Sequence, residues 1–297
     1  MSKATETDRK ARETIVDLLA YCAVFSLSLN EDQILWYLPV KASMVGVKTH
    51  IAVLIKRGKI YRLPDKTYGV KKGIYNRSKA SQEIIATNLK RALRFSRLFR
   101  LLPFVKAVVL SSDSVLQLDN PDVNLQYIFV TLPGRIYITK GVLYYFLGGI
   151  GKRRNSKNQH KSVYLNMFYT TSGVRFSDKM GACSIDQVLW FILAQPLYGE
   201  KVWFSLLQKD TLVYASLPNY PWRHTGTQIY TTMSRYIDKL DNQGYRRHLR
   251  HVADQPEFHG TQALLRVRPD TLIARPNHKS QIKTSELYYK EIRSQIK

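Results

Sequence analysis

The sequence predicts an α+β protein of three parts, and three observations support this. Near the N-terminus, apolar residues recur at helical spacing and are followed by two short alternating segments. In the middle, short apolar runs are typical of buried strands. The last part contains apolar and basic segments that favour helices. We place the parts at residues 1–75, 76–180 and 181–297, and expect the third to be a helical C-terminal region.

The first part contains three helical patterns and a hairpin signal. Asn30 and Ser43 are expected to precede the second and third helices, and Gly58 to end the third. Residues 59–63 and 67–70 alternate around a Pro-Asp-Lys turn, which predicts a β-hairpin. The residues expected to point inward are Ile15, Leu18, Leu19, Cys22, Phe25, Ile34, Leu35, Leu38, Val47, Ile51, Leu54 and Ile55. Three helices and a hairpin are the elements of a winged helix.

A winged helix suits duplex DNA, because one helix can enter the major groove while the hairpin contacts phosphates. Lys48 lies on the third helix, and Arg62 and Lys66 lie on the hairpin. These positions favour phosphate contact over base recognition. The alternative is a winged helix used for packing or for contact with another protein.

The charge of the chain indicates a polyanionic partner. Its 297 residues include 46 Lys and Arg against 22 Asp and Glu, which gives a net charge of +24. Residues 71–161 alone hold 17 basic and 4 acidic residues, an excess of 13. Nucleic acid, either RNA or DNA and possibly within a ribonucleoprotein, is therefore the expected partner.

Three further groups of cations are candidate contacts to phosphate. Lys90, Arg94 and Arg97 lie on a predicted long helix whose inward residues are Ile85, Leu89, Ala92, Ser96 and Phe99. A stripe facing phosphates is the interpretation we pursue, and arginines extended into solvent are the alternative. The other cations are Lys152, Arg153 and Arg154 in the basic loop 151–161, and Arg246 and Arg247 in a basic helical segment.

Two features bear on the cellular setting. The two cysteines, Cys22 and Cys183, cannot form a disulfide framework or a Cys-rich zinc site, and the N-terminus is polar. We therefore expect a cytoplasmic protein. The longest apolar run, residues 141–150, is too short to span a membrane. A buried helix followed by a basic loop is favoured there over peripheral contact with anionic lipid.

The middle part is predicted to form a sheet covered by helices. Residues 105–110, 125–131 and 162–169 have the composition of strands, and residues 136–150 that of a covering helix. Further helices are predicted at 185–194, where Pro196 would follow the end, at 201–207 and at 285–296.

Five segments follow one another in a recognisable order. They are the basic helix from Lys90 leading into LLPFVKAVVL, the loop Asp122-Val123-Asn124, IFVTLPGRIY, YLNMFY and LAQPLYG. In this order they resemble bacterial and archaeal proteins that place a winged helix before a nucleotidyltransferase domain of the DNA polymerase beta superfamily. The resemblance spans most of the chain. It implies a nucleotidyltransferase-like mixed sheet, a Gly-Ser pair that approaches a nucleoside triphosphate, and three carboxylates that hold two magnesium ions.

The sequence departs from this pattern at each site. Ser112 and Asp113 stand where Gly-Ser is expected, and this carboxylate would repel a triphosphate. Asp122 and Asn124 replace Asp-x-Asp, so that one ligand is neutral, and Asn166 stands at the place of the third carboxylate. An alternative explanation for Asp122 and Asn124 is that they cap the strand by hydrogen bonds. We expect no bound metal and no cofactor.

These observations lead to a functional hypothesis with two rivals. The favoured one is a nucleic-acid-binding protein built on a catalytically degenerate nucleotidyltransferase fold. The first rival is an active Mg²⁺-dependent nucleotidyltransferase that acts on nucleic-acid or protein hydroxyls through a rearranged site. The second is a DNA-binding regulator whose degenerate pocket still senses a nucleotide.

Overall fold

The structure is a computed structural model of the chain. It describes residues 3–24, 27–72, 79–153, 160–172, 185–222, 235–253, 264–267 and 271–275. Within these ranges it shows an α+β protein that combines helices with a two-stranded hairpin and a six-stranded mixed sheet.

The N-terminal unit, residues 3–72, contains three helices and the hairpin. The helices are α1 (Lys3–Val24), α2 (Glu31–Tyr37) and α3 (Met44–Lys56), and the antiparallel strands are β1 (Tyr61–Arg62) and β2 (Tyr68–Gly69). Asn30 and Ser43 are N-caps as predicted, and Asn30 forms a reciprocal capping box with Gln33.

Most of the predicted inward residues of this unit are buried. They include Ile15, Leu18, Leu19, Cys22, Ile34, Leu38, Val47, Ile51 and Leu54. The prediction for Ile55 is wrong, since this side chain is 39% exposed near the end of α3. Leu35 is only partly buried, and Phe25 lies outside the described residues.

The sheet combines strands from distant parts of the chain. Its strands are β3 (Val105–Leu110), β4 (Leu125–Thr131), β5 (Val163–Thr170), β6 (Gln195–Tyr198), β7 (Leu264–Val267) and β8 (Thr271–Arg275). They are ordered β6-β3-β4-β5-β8-β7. The pair β4–β5 is parallel and the other neighbours are antiparallel, so that the predicted mixed sheet is present.

Seven further helices accompany the sheet in the described part of the chain. They are α4 (Lys79–Phe99), α5 (Ser112–Val115), α6 (Ile136–Gly149), α7 (Ile185–Ile192), α8 (Glu200–Lys209), α9 (Thr211–Ser216) and α10 (Arg235–Ala253). The predicted basic segment that holds Arg246 and Arg247 lies within α10, and the predicted helix at 285–296 lies outside the described residues.

Each face of the sheet contributes to its own core. Val108, Tyr127, Phe129 and Phe168 pack with residues of α4 and α6 in one core cluster. On the other face, side chains of β3, β4 and β5 join α7, α8, α9 and the helices of the N-terminal unit in a second cluster. Helix α10 packs on α6 from outside, with Tyr245 against Tyr137. The first cluster therefore has α10 as an outer layer.

The expectation of a helical C-terminal region requires correction. Strands β6, β7 and β8 all come from residues beyond 181, so the sheet takes strands from both sides of the predicted boundary at 180/181. Pro196 lies within β6 rather than after a helix. A proline is tolerated there because β6 is an edge strand of the sheet.

Asn219 connects the N-terminal unit to the segment after α9. Its Nδ2 donates to the backbone oxygens of Leu38 at 3.2 Å and Val40 at 2.8 Å, and its Oδ1 accepts from the N–H of Ala42 at 3.0 Å. The neighbouring Tyr220 ring stacks on Tyr37. Both contacts hold the connection between α2 and α3 against the rest of the protein.

No helix within the described ranges is both long enough and apolar enough to cross a membrane.

Candidate functional site

The predicted nucleotidyltransferase positions meet at one end of the sheet. Ser112 and Asp113 follow β3, while Asp122 and Asn124 precede β4. Because β3 is antiparallel to β4 and β4 is parallel to β5, the end of β3 and the starts of β4 and β5 lie together. The fold thus brings together four of the five candidate positions of this site.

Ser112 and Asp113 are both bonded to Trp190 of α7. The hydroxyl of buried Ser112 donates to the backbone oxygen of Trp190. The indole Nε1 of Trp190 donates to Oδ1 of Asp113 at 3.0 Å. Sequence analysis missed Trp190, since nothing in the sequence pairs it with a residue 77 positions away.

Asn124 and Asp122 bind the segment that enters β5. Oδ1 of Asn124 accepts from both the N–H of Ser162 at 3.0 Å and its hydroxyl at 2.9 Å. Asp122 forms an ion pair with Lys161 at 3.4 Å, although both side chains are more than half exposed. Asn124 thus makes the strand-capping contact that is the alternative to metal binding, whereas the side chain of Asp122 forms an exposed ion pair.

Asn166 is the extra residue of a β-bulge. In the register between β4 and β5, Tyr127 pairs with Leu165 and Ile128 pairs with Met167, so Asn166 is skipped. Side chains alternate between the two faces of a sheet, so Val163 and Phe168, five positions apart, would lie on opposite faces of a regular strand. Both belong to the core cluster that includes α4, because the bulge shifts the alternation by one residue. The side chain of Asn166 lies outside the described part of the structure.

Two residues of α4 hold the loop between β3 and β4. Nδ2 of buried Asn88 donates to the backbone oxygens of Leu118 and Asn120, both at 2.9 Å. Arg91 donates to the backbone oxygen of Val123, and burial lowers the pKa of its guanidinium. Sequence analysis did not identify Asn88, although a polar residue on the inward face of a helix was an available signal.

The long helix α4 carries a continuous basic stripe, defined here as Lys90, Arg94 and Arg97. All three side chains are exposed, while Ala92, Phe95 and Phe99 of the same helix are buried. Ser96 is also buried as predicted, whereas Ile85 and Leu89 are only half-buried. Within the described ranges, no ion pair involves a residue of the stripe.

The other predicted cations occupy several surfaces. Lys48 forms an ion pair with Glu31 at 3.3 Å, while Arg62 and Lys66 are exposed on the hairpin. Tyr68 and then Lys48 are the main causes that lower the pKa of Glu31. Arg246 and Arg247 are exposed on α10. The N-terminal unit and α4 contribute to different core clusters.

The basic loop is described only at its two ends. Lys152 is exposed, and the guanidinium carbon of Arg153 lies 4.1 Å from the centroid of the Tyr144 ring. Arg154 lies outside the described residues. No cluster of three or more His, Cys, Asp or Glu side chains that would suit a metal ion occurs in the described segments.

Comparison of the chain with models of protein families, with curated proteins and with solved structures finds no match.

Proposed function

We propose that this protein binds nucleic acid through its basic surfaces, and that its nucleotidyltransferase-like domain is catalytically degenerate. The observation that carries the proposal is the basic stripe of α4.

The stripe presents its charges along one line. Lys90, Arg94 and Arg97 occupy positions i, i+4 and i+7 of α4, which share one face of a helix. The seven steps along the helix from Lys90 to Arg97 extend over about 10 Å, and duplex nucleic acid carries several phosphates over such a length. The stripe therefore matches a phosphate backbone in both sign and spacing.

Folding alone does not explain the stripe. Like charges at i and i+4 destabilise a helix by a few tenths of a kcal/mol, roughly 0.2–0.5 per pair. No acidic side chain in the described ranges forms an ion pair with Arg94 or Arg97. A bound polyanion would remove this repulsion.

The N-terminal unit would add a second point of contact as a winged helix. Its three helices and hairpin have the required order, and Arg62 and Lys66 are exposed on the hairpin. Lys48 is a weaker candidate, because Glu31 already neutralises it. The hairpin, rather than α3, would then supply the phosphate contacts.

The hydrogen bonds at the end of the sheet support a loss of catalysis. Asn124 uses its oxygen to hold Ser162, and Asp113 accepts the indole N–H of Trp190. Mg²⁺ prefers carboxylate oxygens in near-octahedral geometry, and two-metal catalysis needs several of them. No observation on the described residues favours either the active transferase or the nucleotide-sensing regulator.

A salt titration tests nucleic-acid binding directly. Filter binding to duplex DNA and to structured RNA would be measured between about 50 and 200 mM salt, where binding through phosphates weakens steeply. Replacing Lys90, Arg94 and Arg97 together by Ala should reduce the slope of log K against log salt by about 2–3, roughly 0.9 per lost contact. The matched control, K201A/K209A on α8, should change the slope less. Absent or salt-insensitive binding contradicts the proposal.

A second experiment tests the loss of catalysis. Purified protein would be incubated with labelled nucleoside triphosphates, Mg²⁺ or Mn²⁺, and nucleic-acid or protein acceptors. We expect no transfer of label. Transfer that Asp122→Ala abolishes would establish the active-enzyme alternative, because Asp122 is the one carboxylate retained from Asp-x-Asp.

A further inference from the structure

Near its C-terminal end, α6 exposes three consecutive aromatic residues. Tyr144, Tyr145 and Phe146 are 44%, 78% and 39% exposed, and we call these three residues the aromatic turn. Leu143 and Leu147 anchor the same part of the helix in the core. Because the buried side of α6 is filled, the aromatic turn faces away from the protein.

The Tyr145 ring meets the Tyr144 ring in an edge arrangement, with centroids 6.0 Å apart, and two glycines lie one helical turn from it. Gly141 and Gly149 lie one turn before and one turn after Tyr145, and a Cβ built on either glycine would meet no atom within 4 Å. Residues at i−4 and i+4 are the helical neighbours of a side chain. Of the helical neighbours of Tyr145 at i±3 and i±4, Gly141, Gly148 and Gly149 lack a side chain and Val142 has one. The glycines leave space for a planar group beside the ring.

A cation lies beside the aromatic turn. The guanidinium carbon of Arg153 is 4.1 Å from the Tyr144 centroid, and its Nη1 is 3.6 Å from the Cβ position of Gly148. Lys152 is exposed next to it in the chain. Positive charge is thus available within one helical turn of the most exposed aromatic ring.

We infer that the aromatic turn binds single-stranded nucleic acid, with an unpaired base stacked on Tyr145 and the adjacent phosphate held by Arg153 and Lys152. Stacking on aromatic rings beside a basic track is how proteins bind unpaired strands. A paired base cannot offer its face to Tyr145 without leaving its duplex. This inference rests on the proposed function and specifies the class of nucleic acid that this surface prefers.

The same features disfavour two other occupants. A second copy of the chain in a symmetric dimer would bring Lys152 and Arg153 near their own copies, and these like charges would repel. A helix that binds a lipid surface buries apolar side chains in it, but positions 141 and 149 beside the aromatic turn are glycines without side chains. The gaps fit a planar base.

Fluorescence anisotropy with the full chain tests this inference. The probes are a labelled oligouridine of about 12 nucleotides, within the usual site size, and a duplex of equal length. Tyr145→Ala removes the ring, and Gly141→Leu fills one of the gaps beside it. Tyr214→Ala on α9 is the control, because Tyr214 is also an exposed tyrosine and lies on a helix of the other core cluster.

We expect Tyr145→Ala to weaken oligouridine binding by about fivefold or more, the loss that one stacking contact predicts. Gly141→Leu should also weaken it, and neither variant should change duplex binding by more than about twofold. Tyr214→Ala should behave like the wild type. Thermal unfolding followed by circular dichroism checks that each variant is folded.

Other outcomes overturn the inference and separate it from the proposed function. If duplex and oligouridine both bind but Tyr145→Ala changes neither, the inference fails while the proposed function stands. If neither probe binds, both fail. If Gly141→Leu instead strengthens binding to phosphatidylcholine–phosphatidylserine vesicles and leaves oligouridine binding unchanged, the surface binds lipid and the inference is wrong.

Discussion

The indole Nε1 of Trp190 donates a hydrogen bond to Oδ1 of Asp113 at 3.0 Å, and the backbone oxygen of Trp190 accepts from the hydroxyl of Ser112. A single residue of α7 therefore engages both residues that stand at the expected Gly-Ser position. Trp190 is itself buried. Access of a triphosphate to Ser112 would require Trp190 to move.

Replacing Trp190 by Phe should destabilise the protein. The substitution retains an aromatic ring but removes the donor to Asp113, and a half-buried carboxylate that loses a hydrogen bond costs about 1–3 kcal/mol. Urea denaturation, monitored by the far-UV circular dichroism of the backbone, measures the change in the free energy of unfolding.

Asp113→Asn is the matched control for Trp190→Phe. The asparagine retains an oxygen that accepts the indole N–H, so its effect should be smaller than that of Asp113→Ala. Equal stabilities for the asparagine and alanine variants would show that the hydrogen bond to Trp190 does not contribute.

Replacing Asn219 should loosen the attachment of the N-terminal unit. Asn219→Ala removes three hydrogen bonds to the backbone between α2 and α3, and we expect a loss of about 1–3 kcal/mol in the free energy of unfolding. Asn219→Asp should cost at least as much, because its oxygens would face the backbone oxygens of Leu38 and Val40. Urea denaturation measures both, and Asn242→Ala on the exposed side of α10 should be neutral. Neutral Asn219 variants would contradict the prediction.

Lys140 should make stability depend on pH in the alkaline range. Burial lowers the pKa of its ammonium from 10.5 to about 8, and its Nζ lies 3.2 Å from Nε2 of His248. The unfolded chain therefore binds more protons than the folded protein between these two values. The contribution of Lys140 to the free energy of unfolding should rise as pH increases from about 8 to about 10.5.

Lys140→Met isolates this contribution. Below pH 8 the buried charge is present at its full cost, so the variant should be more stable than the wild type by about 1–3 kcal/mol at pH 7. The difference should shrink through the alkaline window. Urea denaturation of both proteins from pH 7 to about 10.5 measures it, and a constant difference would disprove the assignment.

Gly199→Ala should be strongly destabilising. Gly199 has a φ of 69°, and a Cβ there would overlap the backbone oxygen of Lys106 and lie 2.8 Å from Cα of Ala107. Both contacts belong to the backbone of β3, which cannot rotate away. We expect a loss of about 3 kcal/mol or more in urea denaturation.

Gly141→Ala is the opposite case and serves as a control. Its added Cβ would meet no atom within 4 Å, and alanine stabilises a helix interior relative to glycine by about 0.5–1 kcal/mol. If Gly141→Ala stabilises the protein and Gly199→Ala is also tolerated, the close contact between Gly199 and the backbone of β3 is contradicted.

Local patterns were sufficient for several elements of the fold. The N-caps Asn30 and Ser43, the hairpin and strands β3, β4 and β5 all follow from side-chain chemistry within a few residues along the chain. Strands β6, β7 and β8 were missed because they are only four or five residues long. Such segments are stabilised by neighbouring strands from elsewhere in the chain, which local periodicity does not detect.

The candidate site was predictable as a set of positions but not as a set of contacts. The resemblance to nucleotidyltransferases indicated Ser112, Asp113, Asp122 and Asn124, and their places after β3 and before β4 bring them to one end of the sheet. The roles of Trp190, Asn88 and Ser162 depend on pairs of residues separated by 30 or more positions. A single sequence carries no local signal for such pairs.

The sequence by itself determined the net charge of +24, the helical spacing of Lys90, Arg94 and Arg97, and the absence of a second aspartate beside Asp122, since all three are properties of residue type and order. Only the tertiary structure decided which cations remain without an acidic partner, and which side chains close the end of the sheet. The physical reason is that ion pairs, hydrogen bonds and burial depend on distances in space. Those distances are set when β3, β4 and β5 pair and α7 packs beside them.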